Sequence, residues 1–230
     1  MKRIVPFVLL LASCNPTTPA PEGPKDPFYA ASFSALYQVG TSNAVDQKIG
    51  NFDLTSTLLD LALNPKNGEL YGVSPSGFFS IDKTSGKATG ITMTGLVELN
   101  ALAFDADGKL WGMGGNKLYL LDVAAKTYEK KLTLSTAKVA SGDLAFHNGT
   151  LFVTLDNGGA ADTLATINQE SGQTTELGTT GFDEVFGLTS LNGKLYGVTS
   201  DNELLTLNTT TGVGSKVRNL SFSSVGGQSL

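Results

Sequence analysis

Histidine and cysteine are the side chains best suited to proton transfer, thiolate attack and zinc ligation near neutral pH. This chain carries one of each, His147 and Cys14. A zinc shell of nitrogen and sulfur ligands needs three or four such groups, so no zinc site is expected. His147 sits in the turn sequence His147-Asn148-Gly149, and no motif places a nucleophile beside it, so a solvated turn residue is the expectation. The nucleophile-elbow pattern Gly-x-Ser-x-Gly is missing, since Gly40-Thr41-Ser42-Asn43-Ala44 lacks the final glycine. No glycine loop is arranged to cradle a phosphate. Two carboxylates brought together from distant segments would suffice for hydrolysis, yet no sequence feature favours that chemistry. No catalytic residue is assigned.

Calcium is the one metal left open, because carboxylates and carbonyl oxygens are enough for it. Asp105-Ala106-Asp107-Gly108 is similar to the start of a calcium loop, but Asn116 stands at the twelfth position, where the bidentate Glu belongs. The stretch from Asp156 to Asp162 is rich in Asp and Gly, which a hairpin loop already explains. No cofactor is expected.

The chain opens with Met1-Lys2-Arg3, an apolar run from Ile4 to Leu11, and Leu11-Ala12-Ser13-Cys14. A charged start, an apolar core of roughly eight residues and small residues at a cleavage point make a secretory signal, too short to cross a bilayer as a helix. The last four residues resemble a bacterial lipobox. That resemblance implies removal of residues 1–13 and acylation of Cys14, making it the lipid attachment residue of an extracytoplasmic, membrane-anchored lipoprotein. Asn15, rather than Asp, follows it; by resemblance to diderm lipoproteins this points to the outer membrane where there is one. Loss of Lys2 and Arg3 takes the formal charge from −5 to −7. Such an acidic chain is no partner for nucleic acid, whose phosphates need clustered cations. With a single cysteine, an intramolecular disulfide is impossible. Residues 15–27 hold five of the eight prolines and read as an extended tether, able to hold a domain up to ~40 Å from the anchor. The expected organisation is a signal peptide over 1–13, lipidated Cys14 with its tether over 14–27, and one domain over 28–230.

That domain repeats. Asp60-Leu61-Ala62-Leu63, Ala101-Leu102-Ala103-Phe104, Asp143-Leu144-Ala145-Phe146 and Gly187-Leu188-Thr189-Ser190 align. Each is followed by Asn-Gly or Asp-Gly and then by Leu70-Tyr71-Gly72-Val73, Leu110-Trp111-Gly112-Met113, Leu151-Phe152-Val153 or Leu195-Tyr196-Gly197-Val198. Asn-Gly and Asp-Gly between apolar runs signal hairpins, because both residues tolerate the positive φ of a tight turn. A third apolar run, a polar turn and a fourth strand complete each unit, and no helical period is sustained. Four short antiparallel strands at a period near forty residues predict an all-β fold, the β-propeller, with one unit per blade.

The ends predict how the ring closes. Phe28-Tyr29-Ala30-Ala31-Ser32 matches Leu70-Tyr71-Gly72-Val73-Ser74, a second strand, so the domain begins inside a blade. Val225 to Leu230 falls where a first strand is due. Four complete units plus one shared between the termini make five blades, and closure removes open sheet edges.

The repeat from Asn100 to Trp111 resembles blades of the gluconolactonase/regucalcin, NHL and related bacterial propeller families. Lactonases of that type usually have six blades and a channel calcium held by Glu, Asn and Asp; here the expected count is five, and no position matches those ligands. In propellers generally, partners dock on the face carrying the loops that lead into first strands and join second to third strands. Here that rim includes Glu98, Asn100, Asp143, Phe182, Asp183, Glu184 and Phe186. The expectation is a lipid-anchored envelope propeller that binds a protein or carbohydrate without catalysis. The alternative is a calcium-dependent hydrolase or lactonase.

Overall fold

The computed structural model describes residues 22–75, 77–95, 98–223 and 226–229. The signal segment, Cys14 and most of the proline-rich stretch lie outside the described residues, as do Val225 and Leu230. Among the described residues every regular element is a strand.

Blade one contains β1 (Pro27–Ala31), β2 (Ala35–Gly40) and β3 (Asp46–Asn51). Blade two is β4 (Asp60–Leu63), β5 (Leu70–Ser74), β6 (Gly77–Ile81) and β7 (Ala88–Ile91). Blade three is β8 (Ala101–Phe104), β9 (Leu110–Gly114), β10 (Lys117–Asp122) and β11 (Thr127–Thr133). Blade four is β12 (Ala140–His147), β13 (Thr150–Leu155), β14 (Thr163–Ile167) and β15 (Thr174–Thr179). Blade five is β16 (Val185–Leu191), β17 (Lys194–Thr199), β18 (Glu203–Leu207) and β19 (Gly214–Asn219). The last strand, β20 (Gly226–Ser229), starts no sixth sheet. It pairs antiparallel with β1, through Tyr29 with Ser229 and Ala30 with Gln228, and becomes the innermost strand of blade one. Five antiparallel four-stranded blades therefore close into a ring, with one blade built from both ends of the chain.

Local chemistry explains the hairpins. Asn148 and Gly149, and Asn192 and Gly193, all have positive φ and form two-residue turns between paired strands. Burial follows position in the blade. Second strands such as β5 are buried along their whole length, whereas outer strands such as β3 and β15 are largely exposed. The core is accordingly five apolar wedges, one between each pair of neighbouring blades. Leu58, Leu61 and Leu70 fill the first, Tyr71, Phe78 and Leu102 the second, Trp111, Met113 and Leu144 the third. Phe152, Leu188 and Leu195 fill the fourth, and Phe28, Val39, Tyr196 and Leu204 the fifth, where last blade meets first. Wedge packing also explains the glycine of the second strands. A Cβ on Gly72 would stand 3.0 Å from Leu58 Cδ1 and 2.9 Å from Ile81 Cδ1, in space those side chains already occupy.

The seam between blades five and one carries an added polar lock. Arg218 of β19 donates from Nη2 to Asp46 Oδ1 at 2.5 Å and from Nη1 to Asp46 Oδ2 at 3.0 Å. Nη2 also reaches Gly40 O at 3.0 Å, and the Ser221 N–H donates to Asp46 Oδ2 at 2.7 Å. Tyr37 and Phe222 stack across the same seam at 3.8 Å between centroids. Residues 23–26 are already tied to the turn after β2: Asn43 Oδ1 accepts from Lys25 N–H at 2.8 Å, and Asn43 Nδ2 donates to Gly23 O at 3.0 Å.

Candidate functional site

The inner strands β20, β4, β8, β12 and β16 each pack on the next around a central channel. An inner strand is hydrogen-bonded to a neighbour on one side only, so its channel-facing amides need other acceptors. Two aspartates at one repeat position supply them. Asp60 Oδ1 accepts from Leu61 N–H at 2.6 Å, and its Oδ2 accepts from Leu102 N–H of the next blade. Asp143 repeats the arrangement, with Oδ1 accepting from Leu144 N–H at 2.5 Å and Oδ2 from Leu188 N–H at 2.6 Å. Leu61, Leu102, Leu144 and Leu188 are the equivalent residues of four blades, so two carboxyls cap four blades' amides. Ala101 and Gly187 occupy the same repeat position in the blades between and leave room for this. Both aspartates are fully buried. Burial raises the Asp60 carboxyl well above the usual carboxylate range; repulsion from Asp143 and a side-chain hydrogen bond with it push the same way, against the Leu102 and Leu61 amides.

Asp162, in the loop between β13 and β14, is a third buried acid. Its Oδ2 accepts from Val185 N–H at 2.7 Å, and its main chain bonds Phe182 and Thr180, joining that loop to the segment leading into β16. Burial, with repulsion from Asp183 and Asp156, lifts its carboxyl to about 6 despite hydrogen bonds from Ser141 and Val185.

The seven rim residues fall into different environments. Glu98, Asp183 and Glu184 are exposed, and Asn100 and Phe186 are half-buried. Glu184 Oε2 accepts from Ser200 Oγ at 2.5 Å, and Asp183 Oδ1 accepts from the Glu184 N–H at 2.9 Å. Asn100 Nδ2 ties blade three to blade four by donating to Ala140 O at 3.1 Å. Phe182 packs against the wedge between blades four and five. Asp143 is no rim residue: the alternation of β12 turns it toward blade five, and its carboxyl is spent on channel amides. Phe33, 55% exposed, and Val139, 42% exposed, stand on loops of this same face and carry no sequence motif.

His147 departs from expectation. It is the last residue of β12, on the same face as Ala145, and lies buried between blades four and five. Its Nδ1 lies 2.9 Å from Ser190 Oγ and its Nε2 lies 3.1 Å from Asn148 Nδ2. As placed, Asn148 donates to Nε2, which leaves the proton on Nδ1 and makes Ser190 its acceptor. Beside Ser190, at the far end of the inner strands, a cavity of 230 Å³ is lined mainly by apolar residues, including Leu63, Phe104 and Phe146.

In both motifs considered for calcium, a carboxylate oxygen already accepts main-chain amides. Asp105 Oδ1 accepts from Asp107 and Lys109 amides and Oδ2 from Trp111 Nε1, while Asp156 Oδ1 accepts from Gly158 N–H. Calcium takes six to eight oxygens. The channel offers two carboxyls already bonded to main-chain amides, and among the described residues no three acids, histidines or cysteines converge on a point. The residues present do not fit a channel calcium.

No family profile matches the chain, and no curated protein matches it in sequence. Solved structures do. A gluconolactonase from Xanthomonas campestris aligns at 13% identity over 85% of this chain and 71% of its own, with a TM-score of 0.57. A chain of a nidogen/laminin complex aligns at 14% identity over 85% and 76%, with a TM-score of 0.56. A catalytically inactive virginiamycin B lyase from Staphylococcus aureus, solved with quinupristin, aligns at 13% identity over 85% and 70%, with a TM-score of 0.50. At these identities the likeness is one of fold. Strand order and likeness agree: the chain is a five-bladed β-propeller closed by a blade that its two ends share.

Proposed function

We propose that this protein is a non-catalytic binding or assembly module of the cell envelope, held to a membrane by lipid on Cys14. Its binding face is the one carrying Glu98, Asp183 and Glu184. The observation that carries the reading is the division of labour among the acids. The channel carboxyls are buried and bonded to backbone amides, whereas the rim acids are exposed on the same face as half-buried Phe186 and exposed Phe33 and Val139. Acidic groups interspersed with apolar side chains suit a protein surface bearing cations, or a carbohydrate stacked on an aromatic ring. The test places a photo-crosslinking residue at position 98 or 183 in cells, and at exposed Lys48 of the outer strand β3 as control. The reading expects one discrete adduct from the rim positions and none from position 48. Equal or absent adducts at all three sites would overturn it. A calcium-dependent rise in thermal stability would instead favour the hydrolase alternative.

A further inference from the structure

We propose that Asp60 and Asp143 hold one proton between them, as an acid–carboxylate hydrogen bond across the channel, and that this shared proton pins the ring until rising pH removes it. The geometry carries the argument. Two fully buried carboxyls from blades two and four are hydrogen-bonded to one another, and each caps its own and the next blade's inner-strand amide. Four amide donors are too few to stabilise two adjacent full charges in a fully buried site, whereas one charge and one proton match them.

No nearby cation substitutes for the proton. The strands packed on β4 and β12 are β1, β5, β8, β9, β13, β16 and β20, and they carry no Lys or Arg. Their titratable side chains are Tyr29 of β1 and Tyr71 of β5; His147 lies four residues along β12 itself, against Ser190. The Tyr71 hydroxyl donates to Glu69 Oε2 at 2.5 Å. Asp162 is the other buried acid on this side, bonded to Ser141 and Val185, and it adds negative charge.

The sign follows from linkage. A carboxyl that keeps its proton in the folded state, and would lose it near pH 3.9 when unfolded, stabilises the fold fully below that pH. The stabilisation is lost as pH rises toward the folded value. When the proton leaves for solvent, the folded ring must hold two facing charges.

The test is a carbon-13 titration of the purified protein labelled at aspartate carboxyls, with Asp60→Asn and Asp143→Asn for assignment. The expected result is one carboxyl resonance that remains in its protonated position at pH 7 and disappears in Asp60→Asn. Two ionised carboxylates at pH 7 would overturn the proposal. A second measurement serves even if the variants fold poorly. Above pH 7, where Asp162 has largely finished titrating, the unfolding constant of the wild-type protein should rise up to tenfold per pH unit until the proton is gone. A constant that stays flat from pH 7 to pH 10 would overturn it equally.

Discussion

Arg218→Met isolates the lock at the seam between the last and first blades. The Asp46 side chain is 1% exposed and that of Arg218 is 15% exposed. Removing the guanidinium leaves a buried carboxylate whose remaining donors are the Ser221 N–H and hydroxyl. Loss of one partner from a buried pair costs about 3–5 kcal/mol. The surviving Ser221 bonds and the partial exposure of Arg218 place the expectation at the lower end, about 3 kcal/mol. For a domain of this size that lowers Tm by roughly 6–12 °C. Replacing both partners, as Asp46→Leu with Arg218→Met, leaves no uncompensated charge. The double variant should therefore lose about 2 kcal/mol less than the two single losses combined. A pH arm checks the sign. Burial pushes the Asp46 carboxyl up, but the hydrogen bonds and charge of Arg218, with Ser221, outweigh burial and hold it below its ordinary value. Its contribution is thus present above the unfolded value of about 3.9 and fades as pH falls through the folded value. Wild type and Arg218→Met should converge in stability at strongly acid pH. Urea unfolding with a common m-value is the assay. A variant within about 0.5 kcal/mol of wild type at pH 7 would refute the seam reasoning, as would strict additivity in the double variant.

Three further outcomes follow from the same contacts. Cys14→Ser should release the protein from membranes while leaving its unfolding curve unchanged, because residue 14 precedes the blades; retention through a high-salt wash would contradict this. Asp162→Asn should remove a pH dependence: the wild type, relative to the variant, should lose about 2–3 kcal/mol between pH 4 and pH 7, since a carboxyl raised to about 6 stabilises only while protonated. Parallel stability curves would rule that out. Deleting residues 222–230 removes β20 and the Tyr37–Phe222 stack, leaving β1 donors and acceptors unpaired at about 1–3 kcal/mol each, comparable with a whole domain's 5–15 kcal/mol. A truncated protein that unfolds like wild type would speak against the shared blade.

Blade number and closure were legible in the sequence because both rest on local signals. The Asn-Gly and Asp-Gly turns and the forty-residue period mark strands one hairpin at a time. Matching Phe28 to Leu70 needed only register. The roles of Asp60 and Asp143 depend on contacts between blades about forty residues apart in sequence, such as Leu102 N–H to Asp60, which no local pattern encodes. Their repetition at one strand position, in runs otherwise apolar or small, was the available signal. His147 was misjudged for a related reason. It stands next to a turn, but the strand's alternation already sets it on the face of Ala145, where Ser190 of the next blade covers it. The Arg218–Asp46 lock joins residues 172 positions apart, and only the closed ring brings them together.

The central claim is that the rim binds while the channel only holds the ring together. Retention from solubilised envelope extract on the immobilised protein tests it most directly. It compares wild type, Asp60→Asn, and a variant carrying Glu98→Lys, Asp183→Lys and Glu184→Lys, each first shown to be folded. The account predicts that the same partner is retained by wild type and Asp60→Asn and lost by the rim variant. Loss of the partner in folded Asp60→Asn, with retention by the rim variant, would place function in the channel and contradict the account.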